Sequence, residues 1–320
     1  MYQESILILG GTGALGKSLV KKYYDDNEII VFSRDEHKHF HMRSEYPNVK
    51  YVVGDIRDKA AIRTALIRYS PTVVINAAAL KHVHFCEENP FESVKTNILG
   101  HQNVIEAMEE YAICDNLIFV STDKACKPIN VYGMCKSISE QLYMNMANVH
   151  NDMSLRVKMV RYGNVLESTG SVIPFFKNLL LSDEVTHLPI TDFKMTRFLL
   201  SLDTAVELID NAFNDDSAHG KIAIPKVKSL KITDLAQTII DEMRPEMIID
   251  LKEIGIREGE KLHEEMISAE EWTRTRECSY GYLIGHEQVR PFDGWSYNSK
   301  DSLMPQSECL QFLIDNGVLL

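Results

Sequence analysis

Apolar residues in the first half of the chain fall into two alternating patterns. Strand-length runs occupy Ser5 to Leu9, Glu28 to Phe32, Val49 to Val53, Thr72 to Asn76 and Asn116 to Val120. Between them, Leu15 to Tyr24, Lys59 to Tyr69 and Val94 to Tyr111 carry apolar positions at helical spacing. Alternating strands and helices make βαβ units, so the pattern predicts an α/β fold with a doubly wound, mostly parallel sheet and ligands at the C-terminal strand ends. After about Tyr162 the rhythm changes, as Gly163, Gly170, Pro174, Pro189, Gly220 and Pro225 interrupt shorter elements. This half reads as a smaller C-terminal substrate-binding lobe. The expected division is residues 1–165 and 166–320, with some later segments returning to the sheet. Leu202 to Phe213 and Ile232 to Met243 are the lobe's expected helices, and Tyr280 to Asp301, rich in Gly, Ser and Asn, reads as irregular.

The first strand leads directly into Gly10-Gly11-Thr12-Gly13-Ala14-Leu15-Gly16 and then a helix. Glycines there permit a tight turn and let the backbone approach a pyrophosphate, while the helix N-terminus offers unpaired N–H groups and partial positive charge. In this position the motif marks a Rossmann-type dinucleotide site, with Gly10, Thr12, Gly13, Ala14, Leu15 and Gly16 at the phosphates. The end of the second strand chooses between NAD and NADP, because an acidic side chain there bonds the ribose 2′-OH whereas an Arg accepts a 2′-phosphate. Here Ser33-Arg34-Asp35 is followed by Lys38, which favours NADP. The alternative leaves Arg34 and Lys38 solvated, with Asp35 on the ribose or capping the next helix. Asp55-Ile56 is placed to flank the adenine, unless Asp55 caps a helix. Ala77-Ala78-Ala79 supplies the small residues needed where backbone passes close to a cofactor.

Composition sets limits on these readings. With 320 residues, 45% hydrophobic and 25% charged, the chain is long enough for a sizeable core. A net charge of -12 without runs of like charge argues against nucleic acid as a partner, so an anionic ligand must be held by local Arg, Lys and N–H groups. The six cysteines form no C-x-x-C pair and read as free thiols in a reducing compartment. No basic leader or long apolar run precedes the first strand, and a cytosolic protein without a membrane partner is expected. His37, His39, His41, His82 and His84 lack carboxylate or cysteine partners at a ligand spacing; surface or capping roles and no metal are expected.

The reactive groups concentrate in Ser121-Thr122-Asp123-Lys124, at the end of the fifth strand, and Tyr132-Gly133-Met134-Cys135-Lys136, opening a helix. Tyr132 and Lys136, four apart, share one helix face. A phenol with an ordinary pKa of about 10 is a poor base at neutral pH unless a cation stands beside it. One positive charge at ~4 Å and an effective dielectric of ~20 is worth about three pKa units. Lys136 is therefore expected to make Tyr132 a usable base, with Thr122 bonding the same substrate hydroxyl.

On these motifs the chain resembles the extended short-chain dehydrogenases, and within them the inverting UDP-N-acetylglucosamine 4,6-dehydratases. The resemblance runs nearly end to end, through Ser33 to Glu36, Ala77 to Val83, Lys95-Thr96-Asn97, Pro128-Ile129-Asn130, Arg161 to Val165, Gly170 to Pro174, Met195 to Phe198 and Arg257 to Lys261. It implies an internal redox cycle in which NADP takes hydride from sugar C4 and returns it to C6. By the same resemblance Tyr132 is the C4 base, Lys124 removes the C5 proton and Asp123 protonates the leaving C6 hydroxyl. For these tasks Lys124 must be at least partly neutral and Asp123 protonated, both reversed from their ordinary states. Lys124 stands where C5-retaining relatives carry Glu, and Tyr132 where some relatives carry Met, which together imply inversion at C5.

The resemblance also implies a UDP-sugar partner held through Lys81, Asn164, Val165, Arg197, Arg257 and Glu260. A guanidinium fork matches phosphate oxygens and Glu260 suits a ribose hydroxyl, with an ordinary structural ion pair as the alternative for each charged group. Lys81 is shared with the cofactor. Thr169 departs from the Arg often found before Gly170-Ser171-Val172. Relatives form dimers or larger assemblies, so a homo-oligomer (dimer or hexamer) is expected, with helices around Val94 to Tyr111 and Tyr132 to Val149 as candidate interface. A nucleotide-sugar 4-epimerase shares the fold and the Tyr–Lys pair but needs no acid and base at C5 and C6, so Asp123-Lys124 argues against it. Intact Thr122, Tyr132 and Lys136 argue against a non-catalytic dinucleotide-binding regulator.

Overall fold

The computed structural model describes residues 1–111, 114–166, 168 and 170–319, so Thr169 lies outside the described residues. Six parallel strands arise from the first half: β1 (Ser5–Leu9), β2 (Glu28–Ser33), β3 (Lys50–Val53), β4 (Val73–Asn76), β5 (Asn116–Val120) and β6 (Arg156–Val160). They lie in the order β3-β2-β1-β4-β5-β6, so the chain reverses its direction of winding between β1 and β4. A crevice forms at that point, outside the strand ends. Beyond β6 the sheet gains Ile222–Pro225 in parallel and then an antiparallel hairpin, Thr275–Cys278 with Gly281–Ile284, for nine strands in all.

The hairpin corrects the expectation that Tyr280 to Asp301 is irregular. All four residues of Gly281–Ile284 are buried. A strand covered on both faces shows no alternation, and four residues are too few to signal a period. A second correction concerns Val94 to Tyr111, expected as one helix. The segment is Pro90–Val94, then a π turn at Lys95–Leu99, then Gly100–Tyr111. Within the π turn Asn97 faces inward: it accepts from the Leu80 N–H at 2.8 Å and donates to the Leu80 carbonyl at 2.8 Å.

Alternate residues of β1 feed two cores. Leu7 and Leu9 join Phe32, Val104, Phe119 and Tyr143 on one face of the sheet, while Ile6 and Ile8 join Leu19, Val31 and Ile209 on the other. Each such side chain contributes about 1.5–3 kcal/mol on burial. A third cluster, including Ile173, Phe176, Leu199, Leu235 and Leu313, belongs to the second half of the chain. Lys158 is an unusual member of β6, fully buried, with its ammonium donating to the Phe213 carbonyl at 2.5 Å. Burial pulls its pKa down to about 8. Among the described residues no helix is long and apolar enough to cross a membrane.

Candidate active site

Gly10 ends β1 at φ +81°, and a Cβ there would lie 2.8 Å from the Ala78 Cα. Both the left-handed backbone and the close approach demand glycine. Gly16 packs on Gly11 just as tightly, at 2.5 Å, and Gly13 begins helix α1 (Ala14–Tyr23) without a side-chain cap. The resulting backbone cradle leaves N–H groups free for an anion at the crevice, as a dinucleotide pyrophosphate requires. The Asn97 clasp on Leu80 holds the Ala77–Ala79 loop against it.

At the end of β2 the Ser33 hydroxyl is 2.9 Å from the Thr12 hydroxyl and 2.6 Å from His39 Nε2. His39 is thus buried within this network and not a surface residue as expected; burial lowers its pKa. Asp35 caps helix α2 (Glu36–Glu45), accepting from the Lys38 N–H at 3.1 Å, and its carboxylate also pairs with Lys38 Nζ at 3.1 Å. Arg34 is exposed, 3.8 Å from Asp55. Asp55 is held by Arg57 at 2.8 Å, and the cap of helix α3 (Lys59–Tyr69) is Asp58, so Asp55 is not the cap. Ile56 is buried against Gly100, and Lys81 is exposed beyond the Ala77–Ala79 loop.

Thr122 stands two residues beyond β5 and starts a single turn, Asp123–Ala125. A Cβ on Gly133 would lie 2.2 Å from the Lys124 carbonyl, so the helix Val131–Val149 docks its first turn directly on this segment. Asn130 caps the helix, accepting from the Gly133 N–H at 2.7 Å, and donates to the Gly259 carbonyl at 2.7 Å, which ties in the Arg257–Lys261 segment. Asp123 is wholly buried. The Thr122 hydroxyl donates to Asp123 Oδ1 at 3.0 Å, and Tyr132 stands beside both groups. Lys124 Nζ donates to Asp123 Oδ1 at 3.0 Å and to Asn164 Oδ1 at 3.3 Å.

Two electrostatic expectations run against the resting site. Lys136 was expected to activate Tyr132, yet its ammonium folds back to the Val120 carbonyl, at 2.7 Å, and lies 4.4 Å from the Phe119 ring centre. Burial brings Lys136 down to about 7, against the pull of Glu140. Burial also raises the Tyr132 phenol well above its ordinary range, and Asp123 adds to the rise. Lys124 was expected to be partly neutral. Burial does disfavour its charge, but Asp123 and Glu264 outweigh that cost and raise its pKa. Asp123 is pushed upward by burial, with Lys124 opposing and Glu264 reinforcing, the direction a proton donor needs.

The sequence reading missed two groups. Glu264 is buried, with Oε1 3.7 Å from Lys124 Nζ and Oε2 lacking a hydrogen-bond partner. The only signal for it was its place three residues after Lys261. Arg161 and Glu140 are both buried and joined at 2.6 Å; Arg161 also pairs with Glu271 at 2.8 Å, and Glu140 accepts from the Ser121 hydroxyl at 2.6 Å. Helical spacing held the clue, since Glu140 continues the Tyr132, Lys136 series. In the second lobe, Asn164–Val165 pairs with Thr196–Leu200. Arg197 is buried there, its Nη1 donating to the carbonyls of Thr196 and Leu262 and its Nε 4.0 Å from Glu264. Arg257 is exposed, and Glu260 is half-buried with Oε2 lacking a hydrogen-bond partner.

A glycine cradle at the switch point of a doubly wound sheet, with Thr122, Tyr132 and Lys136 gathered at β5, defines a Rossmann-type protein of the extended short-chain dehydrogenase class. Within that class the chain belongs to the family described as Polysaccharide biosynthesis protein, whose profile matches residues 6–285. It is 41% identical to the UDP-N-acetylglucosamine 4,6-dehydratase (inverting) of Campylobacter jejuni, across 96% of this chain and 95% of the relative. It is 35% identical to a UDP-glucose 4-epimerase of Rickettsia felis, across 92% of this chain and 85% of that protein. The X-ray structure of Pen from Bacillus thuringiensis superposes with a TM-score of 0.90 at 31% identity, covering 100% of this chain and 99% of the other.

Proposed function

We propose that this chain is a C5-inverting UDP-N-acetylglucosamine 4,6-dehydratase that uses NADP. The observation carrying the reading is the buried Asp123–Lys124 pair, bonded at 3.0 Å, with Thr122 donating to Asp123 and Tyr132 beside it. A 4-epimerase has no use for such an acid–base pair. The near full-length identity to the Campylobacter jejuni dehydratase supports the same substrate.

In this reading residues 1–165 hold the dinucleotide and 166–320 mainly hold the UDP-sugar, while lending strands to the sheet. Gly10, Thr12, Gly13, Ala14, Leu15 and Gly16 cradle the pyrophosphate. Ser33, Arg34 and Lys38 take the 2′-phosphate, a reading supported by Asp35 being spent as a helix cap. Asp55, Ile56, Ala77, Ala78, Ala79 and Lys81 line the remaining dinucleotide surface. Lys81, Asn164, Val165, Arg197, Arg257 and Glu260 receive the nucleotide sugar. When bound, the oxidised dinucleotide supplies a positively charged ring, a hydride acceptor for C4 and a donor for C6.

Thr122 and Tyr132 hold the C4 hydroxyl, and Tyr132 takes its proton. Oxidation at C4 makes the C5 proton acidic. Lys124 removes that proton, and Asp123 protonates the C6 oxygen as it leaves as water. We also propose a homo-oligomer formed through the helices Gly100–Tyr111 and Val131–Val149. The Rickettsia relative favours a second reading, a 4-epimerase.

Product analysis separates the readings. The protein is incubated in D₂O with UDP-N-acetylglucosamine or UDP-glucose and with NADP or NAD, and products are identified by mass and NMR. The expected result is loss of water from UDP-N-acetylglucosamine, deuterium at C5 and an L-arabino-configured 4-keto sugar, with NADP the better cofactor. A product of unchanged composition would establish the epimerase, and an early D-xylo product would overturn inversion.

A further inference from the structure

We propose that Glu264 is a positioning residue for the proton transfers of this reaction, its buried carboxylate setting how tightly the Asp123–Lys124 pair holds a proton. The inference rests on the dehydratase reading above. Glu264 is fixed from both sides of its backbone: its N–H donates to the Ser299 hydroxyl at 2.9 Å, and its carbonyl accepts from the Ser299 N–H at 2.8 Å. Its side chain is 3% exposed, which keeps water from screening the charge. Oε1 stands 3.7 Å from Lys124 Nζ.

The charged and titratable groups around the pair are few. Tyr132 faces Asp123 from the helix Val131–Val149. Arg197 comes from the strand Thr196–Leu200 and Lys261 from the loop before Glu264, at 4.0 and 3.7 Å from its carboxylate. Lys261 is also engaged with the Cys126 carbonyl at 2.7 Å. Thr122 and Asn164 complete the surroundings as neutral partners. The three cations Lys124, Arg197 and Lys261 overcome burial and keep Glu264 ionised.

Elimination fixes what the pair must carry. The C5–H bond breaks, its proton goes to the Lys124 amine and its electrons form C5=C6. The C6–O bond breaks, and its oxygen takes the Asp123 proton and departs as water. The pair begins as carboxylic acid and amine and ends as carboxylate and ammonium, with one proton in total throughout. A single transfer from ammonium to carboxylate resets it. Turnover therefore fails at low pH, where the pair carries two protons, and at high pH, where it carries none. A fixed negative charge at Glu264 makes both protons harder to lose, so it moves both limits upward.

Glu264→Gln preserves shape and removes the charge. Measured against UDP-N-acetylglucosamine, both limbs of its kcat–pH profile should shift to lower pH by about 1–2 units, with KM changed by no more than a few-fold. Glu264→Asp keeps the charge but draws it back, and should shift the profile less in the same direction. If Glu264→Gln does not fold, Glu264→Asp decides the matter. Limbs superimposable on wild type in the folded variant overturn the proposal, because a merely structural role would lower activity without moving the limbs. Wild type is assayed in parallel. Its failure to release water would overturn the dehydratase reading itself, and the proposal with it.

Discussion

Tyr132 is the residue where chemistry and the resting structure pull hardest against each other. Its phenol is buried beside Asp123, and both features hold its proton in place. Its helical partner Lys136 is bonded elsewhere. Activation therefore has to come with the ligands, which would set a positively charged ring and the sugar hydroxyl beside the phenol. On this account Tyr132→Phe removes only the proton-accepting oxygen. It should keep the fold and dinucleotide affinity while turnover falls by ~10²- to 10⁴-fold. Steady-state rates beside a dinucleotide titration check this. A rate within a few-fold of wild type would assign the first proton transfer to another group.

At the scale of elements, the helix Val131–Val149 does more than present Tyr132. Lys136 and Glu140 repeat along the same face, and Glu140 meets Arg161, the residue after β6, which in turn holds Glu271 from the second half of the chain. Although burial opposes ionisation of Glu271, Arg161 prevails and brings its pKa down to about 2. Removing the guanidinium leaves carboxylates stranded in the interior. Arg161→Met should cost about 3–5 kcal/mol, measured as a fall in the denaturation midpoint. An unchanged midpoint would mean the clamp is not holding the elements together.

This clamp also marks where the sequence stops being legible. The strand runs, the glycine loop and the Tyr132 and Lys136 spacing are local patterns, each set by neighbours a few residues apart. Arg161 and Glu271, or Lys124 and Glu264, meet only because the sheet brings distant segments together, and no period relates them. The π turn at Lys95–Leu99 was hidden for a related reason. Its flanks keep helical spacing, and the long-range bonds that Asn97 makes with Leu80 and Ser139 leave no mark in the sequence.

For the whole molecule, the apolar surface bears on assembly. Met134 and Ile138 are each 47% exposed on the helix that carries Tyr132, and Leu99 is 47% exposed at the π turn. Apolar side chains grouped along adjoining helices suit a two-fold contact. Light scattering should report a dimer or a multiple of it, and Ile138→Glu should shift the mass toward the single chain. A monomeric wild type would exclude the proposed assembly. The sheet also has a history during synthesis. β6 is made well before its neighbour Ile222–Pro225, and at ~5–20 residues per second it waits several seconds at the ribosome as a bare edge. Bare edges recruit strands from other chains, and a lysine pointing inward is a known guard against that. By that rule Lys158, costly to bury once Phe213 closes over it, would guard the edge of the unfinished protein.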